Sequence, residues 1–169
     1  DFLLMRGRVV AEDFVDTISV SARCFPSSFA EPRERAIVTG DAEFSAGASV
    51  MLKPTSPWAF FMDQHFDEAL LPGESRGPCA LLFNPEQVRR ATVEVGEYQI
   101  ATTLELAPGQ TEFALALWEF PDVANADALT ALREHVSKLD FASASVELVE
   151  AAARVLVRDG RPAATLVLP

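Results

Sequence analysis

Cysteine and histidine are scarce in this chain, and their shortage excludes several kinds of site. The 169 residues include only two cysteines and two histidines, too few for a zinc site built from three histidines. Cys24 and Cys79 are too far apart for a Cys-x-x-Cys metal or redox motif. We therefore expect no metal and no cofactor. We interpret both cysteines as reduced core thiols; the alternative is a disulfide between them, which requires an oxidising compartment.

Basic residues and long apolar runs are also in short supply. There are 14 lysines and arginines against 25 acidic residues, which gives a net charge of −11. A polyanion repels phosphate groups, so we expect neither nucleic-acid binding nor adhesion to an anionic membrane. The longest apolar runs, such as Phe113–Leu117, are far shorter than the roughly 20 residues that span a bilayer. The sequence begins at Asp1 and not at Met, so targeting does not indicate a compartment; a cytoplasmic location is our expectation.

Phosphate-binding motifs are absent from the sequence. Neither G-x-x-x-x-G-K-[ST] nor G-x-G-x-x-G occurs, and the EF-hand pattern is missing as well. The neighbouring pairs Arg89-Arg90 and Arg6/Arg8 stand isolated in an acidic chain. We interpret them as partners in surface salt bridges rather than as an anion site.

The chain does contain ample material for a core, since 49% of its residues are hydrophobic. Its length favours one domain over residues 1–169, with a possible weak division near residues 84–91. Two turn signals stand out in the C-terminal part. Pro108-Gly109 suits a type II turn and Asp159-Gly160 suits a type I′ turn, and each lies between apolar runs. We expect a β-hairpin at both.

One amphipathic helix is predicted between these hairpins. It covers residues 126–138 with Asn125 as the N-cap, and an apolar stripe at helical spacing supports it: Leu129, Leu132, Val136 and Leu139. Residues 113–120 are apolar on both faces, which is typical of a central, covered strand. The pattern predicts an α+β fold: a mostly antiparallel sheet with two or three helices packed on it and a C-terminal β-β-α-β-β order. The alternative is two small α+β subdomains.

A second helix is expected over the aromatic stretch Trp58–Leu71, with Ser56 and Pro57 at its start. It contains the strongest catalytic candidate of the sequence, His65 with Asp67 and Glu68. A histidine beside carboxylates can act as a general base, because the anions orient the ring and stabilise its charged form. The competing interpretation is a solvated helix face between aromatic anchors.

The aromatic side chains of the same stretch also have two interpretations. Trp58, Phe60, Phe61 and Phe66 anchor the segment in the core, or they line an exposed groove that binds a ligand or a partner. Sequence alone does not separate these alternatives.

Three functions follow as hypotheses. The first is a non-enzymatic accessory protein, an acidic domain that binds a partner protein, itself or another, or an apolar ligand. The second is a small hydrolase or isomerase with His65 as the general base. The third is a structural subunit of a larger assembly that pairs through an edge strand near the C-terminus, which implies homo-oligomers. The lack of catalytic motifs favours the first.

Overall fold

A computed structural model of the chain describes residues 2–10, 15–24, 36–40, 42–62, 77–96, 99–141, 154–158 and 161–168. Most of these residues lie in strands: β1 (Phe2–Arg8), β2 (Thr17–Cys24), β3 (Ala36–Thr39), β4 (Ala42–Ser45), β5 (Ser49–Leu52), β6 (Trp58–Phe61), β7 (Cys79–Phe83), β8 (Val88–Val95), β9 (Ile100–Leu106), β10 (Glu112–Glu119), β11 (Arg154–Arg158) and β12 (Arg161–Leu168). The helix α1 (Asn125–His135) continues into a 3₁₀ turn, Val136–Lys138, and a second 3₁₀ turn spans Pro85–Gln87.

The strands form two six-stranded sheets. The first sheet has the order β1-β10-β7-β6-β3-β4, and the second has the order β11-β12-β2-β9-β8-β5. Neighbouring strands are antiparallel, except that β12 runs parallel to β2. This arrangement places β1 and β4 at the edges of the first sheet, and β11 and β5 at the edges of the second.

Two apolar cores separate three layers. Between the sheets, Val20, Val93 and Leu104 of the second sheet pack with Phe61 and Leu115 of the first. On the opposite face of the first sheet, a second core joins its strands to Ala128 and Leu132 of α1. The first sheet is therefore covered on both faces, by the second sheet and by the helix. The second sheet has the inter-sheet core on one face.

Strand β10 shows how the sequence encodes a covered position. Phe113 and Leu115 face the second sheet, whereas Ala116 lies on the helix side, and all three are buried. Consecutive residues of a strand alternate between faces, so a strand that is apolar at every position must have a core on each side. The prediction of a central strand over residues 113–120 is confirmed: β10 lies between β1 and β7.

The predicted fold class is wrong. The described residues form mostly antiparallel sheet with a single α-helix, rather than a sheet carrying two or three helices. The start of the helix expected over Trp58–Leu71 is wrong: the chain forms strand β6 there, because Trp58–Phe61 is buried on both faces between β7 and β3. The rest of that predicted helix, from residue 63 on, lies outside the described residues. Asn84 caps only the short 3₁₀ turn Pro85–Gln87 before the chain enters β8.

The first predicted hairpin is also wrong, although its turn is present. Gly109 has a positive φ of 76°, and the amide of Gln110 donates to the carbonyl of Ala107 over 2.9 Å, as a type II turn requires. The flanking strands do not pair with each other: β9 belongs to the second sheet and β10 to the first. Turns of types I and II splay the strands they join, so this one carries the chain from one sheet to the other.

The second predicted hairpin is confirmed, since β11 and β12 pair antiparallel with Arg158 opposite Arg161. The turn residues themselves lie outside the described part, and their turn type stays a prediction. The helix between the hairpins is confirmed as well, and Leu132 is fully buried in it. Its predicted cap is wrong, because Ala124 holds the N-cap position and Asn125 is the first helical residue.

Candidate functional site

The predicted catalytic residues His65, Asp67 and Glu68, together with Phe66, lie outside the residues that the structure describes. Their proposed chemistry stays a prediction. The other histidine, His135, ends α1 with an exposed ring whose Nδ1 donates to the carbonyl of Ala131 over 2.9 Å. Its ring meets that of Trp118 edge to face, with centroids 6.1 Å apart.

The three remaining aromatic candidates are core residues. Trp58, Phe60 and Phe61 retain 4%, 0% and 1% of their surface. Trp58 and Phe60 pack on the helix side of the first sheet, and Phe61 packs between the sheets. Their rings stabilise both cores, and a further part in ligand binding stays a prediction. Within the described ranges, no three His, Cys, Asp or Glu side chains are grouped to hold a metal ion.

A different surface emerges when charge is mapped onto the strands. The strands of the second sheet contain six arginines but only two acidic residues, Glu94 and Glu105; the arginines are Arg23, Arg89, Arg90, Arg154, Arg158 and Arg161. Eight basic and 23 acidic residues remain for the rest of the chain. The second sheet is thus a basic element in a chain of net charge −11.

Register places two of these arginines, Arg23 and Arg90, and both glutamates on the face turned away from the inter-sheet core. We call this the outer face of the second sheet, defined by Ser19, Ser21 and Arg23 of β2, Ala101, Thr103 and Glu105 of β9, Arg90, Thr92 and Glu94 of β8, and Ser49 and Met51 of β5. Directly paired residues share a face, so Ser21, Thr103, Thr92 and Met51 form one row across four strands. Because most of its side chains are small and polar, this face is flat.

A β-bulge in β8 adds a third arginine, Arg89, to the outer face. Val88 pairs with Leu106 and Arg90 pairs with Glu105, so Arg89 is the extra residue of the bulge. A bulge re-aims the side chain that it inserts, and here Arg89 forms a salt bridge with Glu105. Both neighbouring arginines are consequently exposed on the same side of the strand.

Several cations near this face have no acidic partner among the residues that the structure describes. Arg23, Arg90 and Lys53 make no salt bridge with any residue in the described ranges. The interpretation of Arg8 and Arg89 as salt-bridge residues is confirmed by the pairs Arg8–Glu112 and Arg89–Glu105. The same interpretation of Arg6 and Arg90 stays a prediction, because neither forms a salt bridge with a residue in the described ranges.

A small apolar pit opens where β5 and β8 meet the turn Pro85–Gln87. It has a volume of about 100 Å³ and is lined by Met51, Leu52, Pro54, Phe83, Pro85 and Val88, with Arg89 and Arg90 beside them. Leu52 and Phe83 are buried, whereas Met51 is 63% exposed. A pit of this kind suits one aliphatic group next to an anionic one.

Sequence reasoning missed this surface because the arginines are spread from residue 23 to residue 161. The available signal was the presence of arginines within several apolar strands, but only the pairing shows that those strands share a sheet. Among the described residues, no helix is long and apolar enough to cross a membrane. Comparison with protein-family models, curated proteins and solved structures finds no match to this chain.

Proposed function

We propose that the protein is a non-enzymatic binding protein whose second sheet engages an acidic surface of a partner protein. The observation that carries this proposal is the concentration of six arginines in the strands of one sheet, in a chain of net charge −11. Arginine suits such a surface, because its planar guanidinium binds carboxylates in two-point contacts and is weakly hydrated.

Distance decides which charge a partner senses. Salt screens exposed charges beyond about 8 Å at physiological ionic strength. Arg23, Arg89 and Arg90 outnumber Glu94 and Glu105 on the outer face, so an acidic group that lies there senses a net positive charge more strongly than the acidic residues elsewhere in the molecule. A single exposed ion pair contributes only about 0–1 kcal/mol, so several arginines across the sheet are needed for useful affinity.

The shape of the outer face favours a protein partner over a polynucleotide. Proteins that bind single-stranded nucleic acids stack bases on aromatic side chains, whereas the described outer face carries Ser, Thr and Ala between its charges. A long polyanion would also extend beyond the sheet onto the acidic remainder of the chain. An acidic patch on a protein surface is limited in size, so it can cover the sheet without reaching the acidic remainder of the chain.

The test measures binding of fluorescently labelled poly-L-glutamate by anisotropy. We expect Arg23→Glu to weaken binding about tenfold, because it removes one attraction and adds one repulsion. Arg6→Glu is the matched control: it makes the same charge change at an exposed arginine of the first sheet, and we expect less than about a twofold effect since screening isolates it.

Equal weakening by the two variants would show that only net charge matters and would overturn the proposal. Tighter binding to a single-stranded oligonucleotide or to anionic lipid vesicles than to poly-L-glutamate would also overturn it. Each comparison is made at one salt concentration, because electrostatic affinities depend on it.

A second candidate function is supported by the position of β11. This C-terminal strand is an edge of the second sheet, and an open edge can pair with a strand of another copy. A subunit of a homo-oligomer would use this edge. Light scattering across a concentration series tests it, and a constant monomer mass would rule it out.

A further inference from the structure

Strand β5 is the edge of the second sheet that lies beside the apolar pit. It spans only Ser49–Leu52 and pairs with β8 alone. Among the described residues, no strand lies on its other side. An edge strand of this kind presents backbone N–H and C=O groups that an extended peptide can pair with.

The hydrogen bonds next to β5 indicate which of its residues face the open side. The amide of Val95 donates to the carbonyl of Ala48 over 2.9 Å. Bonded residues recur at every second position of an antiparallel pair, so Val50 and Leu52 face β8. The backbone groups of Ser49 and Met51 are therefore directed to the open side.

Charge distinguishes this edge from that of the first sheet at β4. Glu43 is exposed on β4, and it would repel an acidic segment. Next to β5, the exposed Lys53 and Arg90 lie at the C-terminal end of the strand, beside the pit, whereas the exposed Glu94 of β8 pairs with Ser49 at its start. Charge complementarity thus favours an acidic occupant at β5.

The pit adds a site for one side chain of such an occupant. It adjoins the C-terminal end of β5, where Leu52 and Phe83 are buried in it and Arg90 stands beside it. Side chains of an extended strand alternate between its two faces. A segment in which aliphatic and acidic residues alternate can therefore place one aliphatic group in the pit and carboxylates on the outer face.

We propose that an extended segment of the partner, with alternating acidic and aliphatic residues, adds to the second sheet as a strand along β5 and seats one aliphatic side chain in the pit. This inference rests on the proposed function, since it names the way in which the acidic partner binds. Main-chain hydrogen bonds provide affinity, while the pit and Arg90 provide specificity for the sequence of the bound segment.

The first test uses a short peptide of alternating glutamate and valine with the complete chain, and measures its dissociation constant by calorimetry. Two variants of the peptide carry two N-methyl groups each, one variant at odd-numbered and the other at even-numbered residues. Only one of these sets removes the amides that would pair with Ser49 and Met51, and we expect that variant to lose about tenfold in affinity. Methylation of the other set, whose amides point away from β5, should change the affinity by less than about twofold. Equal losses of affinity for the two methylated peptides would overturn the proposal of strand addition.

The second test removes a backbone hydrogen-bond donor from the protein instead of from the peptide. Met51→Pro removes an N–H on the open side without removing a bond to β8, because edge strands accept proline there. We expect it to abolish detectable peptide binding. Met51→Ala is the matched control that keeps the N–H, and we expect about a threefold loss from the missing side chain. Equal losses in the two variants would contradict pairing at β5.

The third test asks whether the pit is occupied. Replacing the valines with alanine in turn should weaken binding about fivefold at one position and less elsewhere, because one aliphatic group loses its apolar contact. A uniform response would show that the pit is not used. Substitution Arg90→Glu should weaken this peptide, whereas Arg23→Glu, two strands further from β5, should not.

Failure of this inference is distinguishable from failure of the proposed function. If Arg23→Glu weakens the binding of poly-L-glutamate but the two methylated peptides bind with equal affinity, the outer face binds acidic partners without strand addition. If poly-L-glutamate does not bind, the proposed function fails as well.

Discussion

The two sheets of this protein are equal in strand number but differ in how they are covered. The first sheet has the inter-sheet core on one face and α1 on the other, so Phe60 and Ala116 on the helix side are fully buried. On the outer face of the second sheet, Thr92 and Thr103 are half-buried and Arg23 is exposed. Both sheets share the same core between them.

This difference separates stability from binding. Residues of the first sheet are constrained on both faces by close packing, so most substitutions there alter the fold. On the outer face of the second sheet, polar side chains can vary at little energetic cost. A surface of that kind can acquire arginines for recognition while the inner face maintains the core.

The largest expected contrast is between one residue from each region. Phe60 is fully buried and packs 6.3 Å from Phe120, centroid to centroid. We expect Phe60→Ala to lower the free energy of unfolding by about 3–5 kcal/mol, because it leaves a cavity. Thr103→Ala on the outer face should change it by less than about 0.5 kcal/mol. Urea denaturation of both variants measures the difference; similar losses would contradict the contrast.

An intermediate effect is expected where β1 meets β10. Gly7 pairs with Phe113, and a Cβ on Gly7 would lie 2.3 Å from the Phe113 ring. We expect Gly7→Ala to destabilise the protein by about 1–3 kcal/mol through overpacking. In a Phe113→Leu background the same substitution should cost less, since the opposing ring is gone. A double-mutant cycle by denaturation tests this, and additive effects would show that the two residues do not clash.

The smallest expected effect has the opposite sign. Thr102 lies on the inner face of the second sheet with 1% of its surface exposed, and the described residues supply no hydrogen-bond partner for its Oγ1. An unpaired buried hydroxyl carries a desolvation cost. We expect Thr102→Val to raise the free energy of unfolding by about 1 kcal/mol, and Thr103→Val to leave it within about 0.5 kcal/mol. A destabilised Thr102→Val would indicate that the hydroxyl has a partner.

Local patterns predicted strands well where one physical signal dominated. Alternation and two-faced apolarity identified β10, and the Asp-Gly pair identified the β11–β12 hairpin. Trp58–Phe61 was misassigned because a short run of aromatic residues fits a buried strand as well as a helix. Its four consecutive buried positions follow from neighbours β3 and β7, which are remote in sequence.

The turn at Pro108-Gly109 shows the same limit at the level of topology. Its residues determined the local geometry, including the positive φ of Gly109. They could not determine whether the following strand pairs with the preceding one, because pairing is a competition among all strands. Here β9 pairs with β2 and β8 instead of β10.

For this protein the sequence by itself determined composition, net charge, the positions of most strands and the helical stripe of α1. These properties depend on residues close together in the chain, through backbone preference and side-chain periodicity. Only the tertiary structure decided which strands share a sheet, and therefore which arginines share the basic second sheet and where the pit beside β5 opens. Long-range pairing brings those residues together, and no local pattern encodes the partner of a strand.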